Sequence, residues 1–359
     1  MKVLQSSTKN QCKWLGGGAE DDVILGTRVA YARNIADYPF VNQTTRQQAA
    51  RIEELLRTKL EESSLSEKLD YFRLTEVDSL TRKLLLERKL IGALDSDTDG
   101  PRGVAFDRDE SLCLLINEED HLEIRAMTAG LDLDDARDRA READEILADL
   151  IPYAFSARYG YLTACPTKVG TGMRASIFLH LPALGMGREM QKVLDMCHEH
   201  DMRLDGQHPR GSYASADLYR LSNQITLGQS EETILDQLNS VVKEVAGKER
   251  RTREVFLNRD REQLVTKIEH ALTLLRTARQ LSADESLSLL SQLRMGAEMG
   301  LVENVTSMQV SELLLLTLPA HLRTMNVVED GQVSEDRSRA RYLRWKLNSE
   351  NNRPNGGLT

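Results

Sequence analysis

The chain has 359 residues, a net charge of −9 and 40% apolar residues, which suits a soluble protein of two ordinary domains. With 56 acidic against 47 basic residues and no long basic run, it is a poor general binder of nucleic acid or of anionic membrane. No stretch approaches the ~18–20 apolar residues of a membrane span, and the polar start carries no apolar core of a secretory signal. Cys12, Cys113, Cys165 and Cys197 lie far apart, so neither a disulfide framework nor a structural zinc site is expected, and the cytoplasm is the expected setting.

Residues 1–20, with Gly16-Gly17-Gly18 near their end, read as a flexible lead-in. The apolar run Val23-Ile24-Leu25 comes next. From about Thr44 to Arg88 the pattern is largely helical, with Ile52, Leu55, Leu56 and Leu60 at helical spacing. Residues 95–102 read as a loop. Gly103–Phe106 and Leu112–Asn117 flank a polar turn, as in a hairpin. A charged amphipathic helix fits Leu133–Leu150, and Tyr161–Cys165 is a strand candidate before a Gly-rich loop. Strands interleaved with helices predict one α+β domain over 21–255.

After Arg250 the character changes. Leu264, Ile268, Leu272 and Leu275, then Leu287, Leu289, Leu290 and Leu293, predict an all-helical domain over 256–347. Ser282 with Glu285 is a capping-box pattern. The run Glu312–Leu316 is apolar on several faces, which predicts that part of it packs against another subunit. Residues 348–359 are polar and rich in Asn and Gly and read as disordered.

Three segments carry chemistry. In Cys165-Pro166-Thr167-Lys168-Val169-Gly170-Thr171-Gly172-Met173-Arg174, a thiol precedes a turn able to present backbone N–H groups. The arginine beyond it can grip a phosphate. A buried structural cysteine is the plain alternative. In Asn117-Glu118-Glu119-Asp120-His121, a carboxylate at a strand end can hold a guanidinium or take its proton, unless the turn is merely solvated. Gly26–Asn34 offers Arg28 and Arg33 after a strand, with a solvated helix start as the bland alternative. Cys197-His198-Glu199-His200, near His208, lacks a second clustered ligand pair, so no protein-held metal is expected.

Together the three segments resemble the ATP:guanido phosphotransferases, the phosphagen kinase family, and within it the bacterial branch that phosphorylates protein arginine. Supporting strings are His180-Leu181-Pro182-Ala183-Leu184 and Leu221-Ser222-Asn223-Gln224-Ile225-Thr226-Leu227-Gly228. The resemblance implies a catalytic domain with an antiparallel sheet flanked by helices, and a helical domain that forms a homodimer. It implies ATP with Mg²⁺, a protein arginine substrate, and Glu119 and Cys165 as catalytic residues. ATP contacts would fall on Gly26, Thr27, Arg28, Val29 and Ala30, and on Arg174, Ala175, Ser176, Ile177 and Phe178.

Several family positions are altered. Ala30 and Glu123 stand where arginines belong, and Asp205 falls on the arginine of an Arg-Gly pair. Arg210 replaces a substrate carboxylate, Lys168 an asparagine and Lys89 a nucleotide-contacting histidine. Glu335 replaces an arginine of a phosphoarginine-sensing pocket. Losing one transition-state donor costs about 10²–10³ in rate. Arg125, Arg210 and Lys168 are candidates to reach in from new positions. Two readings stand: an ATP-dependent guanidinium kinase, or a catalytically impaired paralogue that acts as a regulatory binding partner.

Overall fold

The structure is a computed structural model and describes residues 12–92, 100–206, 216–325 and 335–348. Two compact units divide the chain. One comprises Met1–Leu179, Lys192–Leu204 and Arg220–Glu244; the other comprises His180–Gln191, Asp205–Tyr219 and Val245–Thr359.

The strands are β1 (Ile24–Arg33), β2 (Asp70–Arg73), β3 (Gly103–Phe106), β4 (Leu112–Ile116), β5 (Leu122–Ala129), β6 (Phe155–Ser156), β7 (Gly160–Tyr161), β8 (Met173–His180), β9 (Met202–Gly206) and β10 (Leu218–Asn223). Eight of them form one sheet in the order β2-β3-β4-β5-β1-β8-β10-β9, while β6 and β7 pair separately. β1 sits between β5 and β8 and is antiparallel to both. The predicted hairpin is present as β3 and β4.

The helices are α1 (Arg46–Glu62), α2 (Ser79–Glu87), α3 (Leu133–Ala148), α4 (Pro182–Met186), α5 (Met190–Glu199), α6 (Glu231–Arg259), α7 (Arg261–Thr277), α8 (Ala283–Glu298), α9 (Ser307–Leu316), α10 (Pro319–Thr324) and α11 (Glu335–Leu347). In the first unit α3 packs against β1 and β5. Asp132 caps its start by accepting from the Asp135 N–H at 3.1 Å. Its buried residues Leu133, Ala136, Ala140, Ala143, Asp144 and Leu147 recur at helical spacing, and the alanines let the helix lie close to the sheet.

In the second unit, Leu275, Leu287, Leu290, Leu293, Val310, Leu313 and Leu343 share one core. The capping box at Ser282 and Glu285 forms as predicted. The apolar run in α9 has an internal explanation: Leu313 and Leu314 lie in that core and Leu316 packs on it. Burial inside the chain therefore accounts for Leu313 and Leu314, while Leu316 is only partly buried.

Residues 44–88 are largely helical, as expected, with the short strand β2 set between the two helices. Two expectations change. Tyr161–Cys165 is a strand only at its first residue, since side-chain partners capture the backbone beyond it. The Thr163 hydroxyl donates to the Cys165 carbonyl at 2.8 Å, and the Ala164 N–H donates to Asp120 at 2.7 Å. In the lead-in, Trp14 is buried and its ring lies 5.9 Å from that of Phe178. Gly16 and Gly17 adopt φ of +86° and +85°, and a Cβ on Gly18 would fall 2.1 Å from the Ala129 carbonyl oxygen. Residues 1–11 of the lead-in, 95–99 of the expected loop, His208 and the tail 349–359 lie outside the described residues.

Candidate active site

The pleat of three adjacent strands lays out the site. Register pairs Arg28 with Met127 on β5 and Ser176 on β8, and Ala30 with Arg125 and Arg174. Direct partners share a face, so Arg28, Ala30, Arg125, Arg174 and Ser176 form one surface. Phe178 joins it, and the Arg28 guanidinium carbon lies 5.7 Å from its ring centroid. Gly26 faces the Trp14 backbone, with room for no side chain.

The alternate residues point the other way. Thr27 donates to the Gly130 carbonyl at 2.7 Å and accepts from the Asp132 N–H at 3.2 Å. Val29, Ala175 and Ile177 are fully buried. Arg33, a candidate from sequence, is a structural residue of this face. It bonds Asp144 at 2.6 Å and stacks 3.6 Å from the Tyr161 ring centroid.

The Arg28 side chain makes no hydrogen bond to any described residue, and its Nε is buried without a partner. Burial, then the charges of Arg125 and Arg220, lower its pKa. Lys89 comes just after α2, with φ of +65°. Burial, and then Arg28 and Arg220, lower its pKa to about 8. Ser176 Oγ, opposite Arg28, is also buried and unbonded. A cluster of mutually repelling cations beside orphaned donors suits a polyanion.

The acidic turn lies at the neighbouring end of β5. Asn117 takes φ of +58°, and its N–H donates to the His121 carbonyl at 2.9 Å. Asp120 and His121 are structural. Asp120 accepts from Asn34 and from the Ala164 N–H, both at 2.7 Å. His121 Nδ1 accepts from the Ile35 N–H at 3.0 Å, so its Nε2 carries the proton given to the Pro39 carbonyl at 2.9 Å. Burial first, against weaker opposing effects, lowers its pKa.

Glu119 is the more open member, with its side chain 42% exposed. Lys168 Nζ lies 2.6 Å from Glu119, 3.5 Å from Asp120 and 3.8 Å from Glu123. Burial alone would lower the Lys168 pKa, but Glu123, Asp120 and Glu119 raise it overall. The half-buried Cys165 Sγ lies 3.1 Å from Thr167 Oγ1, which accepts from Arg174 at 3.1 Å. Arg174 also donates to the Asn223 carbonyl. Burial is the main influence lowering its pKa, and it feels Cys165 and Glu119 on one side and Arg220 on the other. It therefore joins the thiol and carboxylate end to the cationic end.

The Gly-rich turn differs from expectation. The N–H groups of Lys168, Val169 and Gly170 are spent on the Cys165, Pro166 and Tyr161 carbonyls. These three amides are therefore not available to an anion, and the charged donors described above are side chains. Among the described residues, no group of three or more His, Cys, Asp or Glu is placed to hold a metal ion.

Residues 51–252 match the family described as ATP:guanido phosphotransferase, C-terminal catalytic domain. The chain belongs to the ATP:guanido phosphotransferase family. Residues 261–356 match the protein-arginine kinase McsB C-terminal domain. Among curated relatives, the protein-arginine kinase of Desulforamulus reducens is 35% identical, over 98% of this chain and all of the relative. That of Halothermothrix orenii is 33% identical, over 97% of this chain and all of the relative. Two solved structures share the fold. Lombricine kinase has a TM-score of 0.56 at 22% identity, over 68% of this chain and 70% of that one. The duplicated taurocyamine kinase of Schistosoma mansoni has a TM-score of 0.57 at 22% identity, over 75% of this chain and 41% of that one.

Within this guanido phosphotransferase, the altered positions separate. Ala30, Lys89, Glu123 and Lys168 belong to the surface just described. Asp205 lies near the end of β9 and is assigned to the other unit. Arg210 lies outside the described residues. Glu335 opens α11 and pairs with Arg323. Sequence reasoning did not single out Arg220, although a cation within strand β10 was a usable signal. It also gave Asn223 no role. The Asn223 side chain accepts from the Ala175 N–H at 2.9 Å and so ties β8 to β10.

Proposed function

We propose that this protein transfers the γ-phosphoryl group of ATP to the guanidinium of arginine in a protein. The observation that carries this reading is the continuity from Glu119 and Cys165, through Arg174, to the unbonded Arg28. That arrangement offers a guanidinium acceptor and a polyphosphate adjoining places. Arg28, Arg174 and Ser176 would hold phosphates, with Mg²⁺ arriving on the nucleotide and spreading its charge. Glu119 would orient the guanidinium and take one N–H proton as the nitrogen lone pair attacks phosphorus. The bond from phosphorus to the ADP oxygen breaks in the same step. The Cys165 thiolate would face the guanidinium. Lys168 now bonds Glu119, so the incoming guanidinium would compete with its ammonium for that carboxylate.

The relatives lend no support to the alternative of a catalytically impaired paralogue. We read 21–255 as the catalytic domain and 256–347 as a regulatory, dimerising domain. The homodimer rests on the family resemblance of the helical region. A cytoplasmic setting is supported by four cysteines that are all free thiols. No helix among the described residues is long and apolar enough to cross a membrane.

The test is to incubate the full chain with Mg-ATP and an arginine-rich unfolded protein, then look for phosphoarginine by mass spectrometry. Product should form, and Arg174→Ala should reduce its rate about 10²–10³-fold. Absence of product despite millimolar nucleotide sinks the proposal.

A further inference from the structure

The row Arg125–Ala30–Arg174 runs across β5, β1 and β8. Antiparallel partners lie about 4.5–5.5 Å apart, so a single methyl group separates two long cationic side chains on one face. Arg174 is engaged at both ends of its guanidinium, by Asn223 and Thr167. Arg125 is different. It is only 7% exposed, and its one hydrogen bond to a described residue runs from Nε to Glu123 at 2.5 Å. Both Nη groups remain unspent, on the face where Arg28 Nε and Ser176 Oγ are also unbonded. Leaving Arg28 Nε and Ser176 Oγ buried without partners is costly unless a ligand satisfies them, and the unspent Arg125 Nη groups stand on that same face.

Glu123 explains how a carboxylate is tolerated beside this cluster. It is buried, bonded by Arg125 and 3.8 Å from Lys168. Burial would raise its pKa, but Arg125 and Lys168 keep it lowered, so the carboxylate stays ionised. Its contact takes only Nε of Arg125 and leaves the Nη edge of the guanidinium without a hydrogen bond to a described residue.

We propose that Arg125 is a phosphate-binding residue that reaches over Ala30 toward the nucleotide polyphosphate, with Glu123 as its positioning residue. This rests on the nucleotide reading above and adds a residue to it. Arg28 and Arg174 bound the site on β1 and β8, and Arg125 closes it from β5.

The experiment measures binding of Mg-ADP, Mg-ATP, inorganic tripolyphosphate and adenosine to the full chain by calorimetry. Variants are Arg125→Gln, Glu123→Gln with Arg125→Gln, and Ala30→Arg with Arg125→Gln. Arg125→Gln should weaken nucleotide and tripolyphosphate about 10–100-fold and leave adenosine unchanged. Removing Glu123 as well should not restore affinity. Returning an arginine at position 30, its register partner, should restore it to within a few-fold. The proposal is overturned if Arg125→Gln binds polyphosphate like the wild type. It is also overturned if the Glu123/Arg125 double variant regains full affinity, since Arg125 would then only neutralise a carboxylate. Should Arg125→Gln fold poorly, the double variant, which leaves no unpaired carboxylate, decides the matter alone. Nucleotide binding without phosphoarginine would refute the kinase reading and leave this inference standing; a wild type that binds no nucleotide refutes both.

Discussion

The two faces of β1 treat their arginines in opposite ways. On the face toward α3, Arg33 is clamped by Asp144 at 2.6 Å, donates to the Thr171 carbonyl at 3.0 Å and stacks on Tyr161. On the other face, earlier in the same strand, the Arg28 side chain has an aromatic ring beneath it and no hydrogen bond to a described residue, and the charges of Arg125 and Arg220 act on it more strongly than those of Glu123 and Glu118. A structural cation is fully partnered by its own chain, whereas a binding cation is left with unspent donors. Arg88, 1% exposed and bonded to Glu110 at 2.6 Å, follows the structural pattern. Arg125 stands between the two patterns, half spent on Glu123.

The largest effect should come from breaking the partnered face. Asp144→Ala strands the Arg33 charge in the core, and should cost about 3–5 kcal/mol of stability in denaturant unfolding. A loss under about 1 kcal/mol, the scale of an exposed pair, would mean that the stacked rings and the Ala32 and Thr171 carbonyls hold Arg33 without Asp144, and the contrast would blur.

Arg28→Met should do the reverse. Nucleotide affinity should fall about 10–100-fold by calorimetry. The melting temperature without nucleotide should hold or rise, because a buried cation without a partner is gone. A drop in melting temperature equal to that of Asp144→Ala would show that Arg28 is structural after all.

Lys168→Asn would test the acceptor end. Freed of the ammonium, Glu119 should receive a guanidinium more readily, and the acceptor KM should fall a few-fold in steady-state kinetics. The effect is small because Glu119 is well exposed to screening solvent. A raised KM would instead make Lys168 part of the acceptor site.

The smallest effect concerns pH. Lys89 titrates at about 8 in the fold, below its ordinary 10.5. The unfolded chain binds that proton more tightly, so this group adds stability to the nucleotide-free fold as pH rises from about 8 toward 10.5. Polyphosphate favours the charged ammonium, so nucleotide affinity should fall a few-fold between about pH 7 and 9. Lys89→Met should flatten that slope; an unchanged slope would remove Lys89 from the phosphate cluster.

Much of the fold was legible in the residues. The hairpin of β3 and β4, helix α3 and the Ser282 capping box depend on local periodicity and local hydrogen bonds, which neighbours in sequence carry. The motif strings around Arg28, Glu119 and Cys165 marked the three segments that supply the site. The strings could not sort residues by face. Within Gly26–Ala30 and Arg174–Phe178, only every second side chain reaches the site surface, because the period of a strand is two. Nor could they show that the amides of Lys168, Val169 and Gly170 are spent internally, or that Trp14 is buried against β8.

Composition, spacing and residue type run along one dimension. They were enough for the α+β and helical character of the two regions, the family resemblance and the missing arginines at positions 30 and 123. Which cations remain unspent is a three-dimensional matter. Arg33 and Asp144 are 111 positions apart in the chain, and Lys168 and Glu119 come from separate motifs. Setting Arg125 beside Ala30 required the register of β1 and β5. Charge is written in the chain, but its neutralisation depends on packing, and packing decides where an anion can bind.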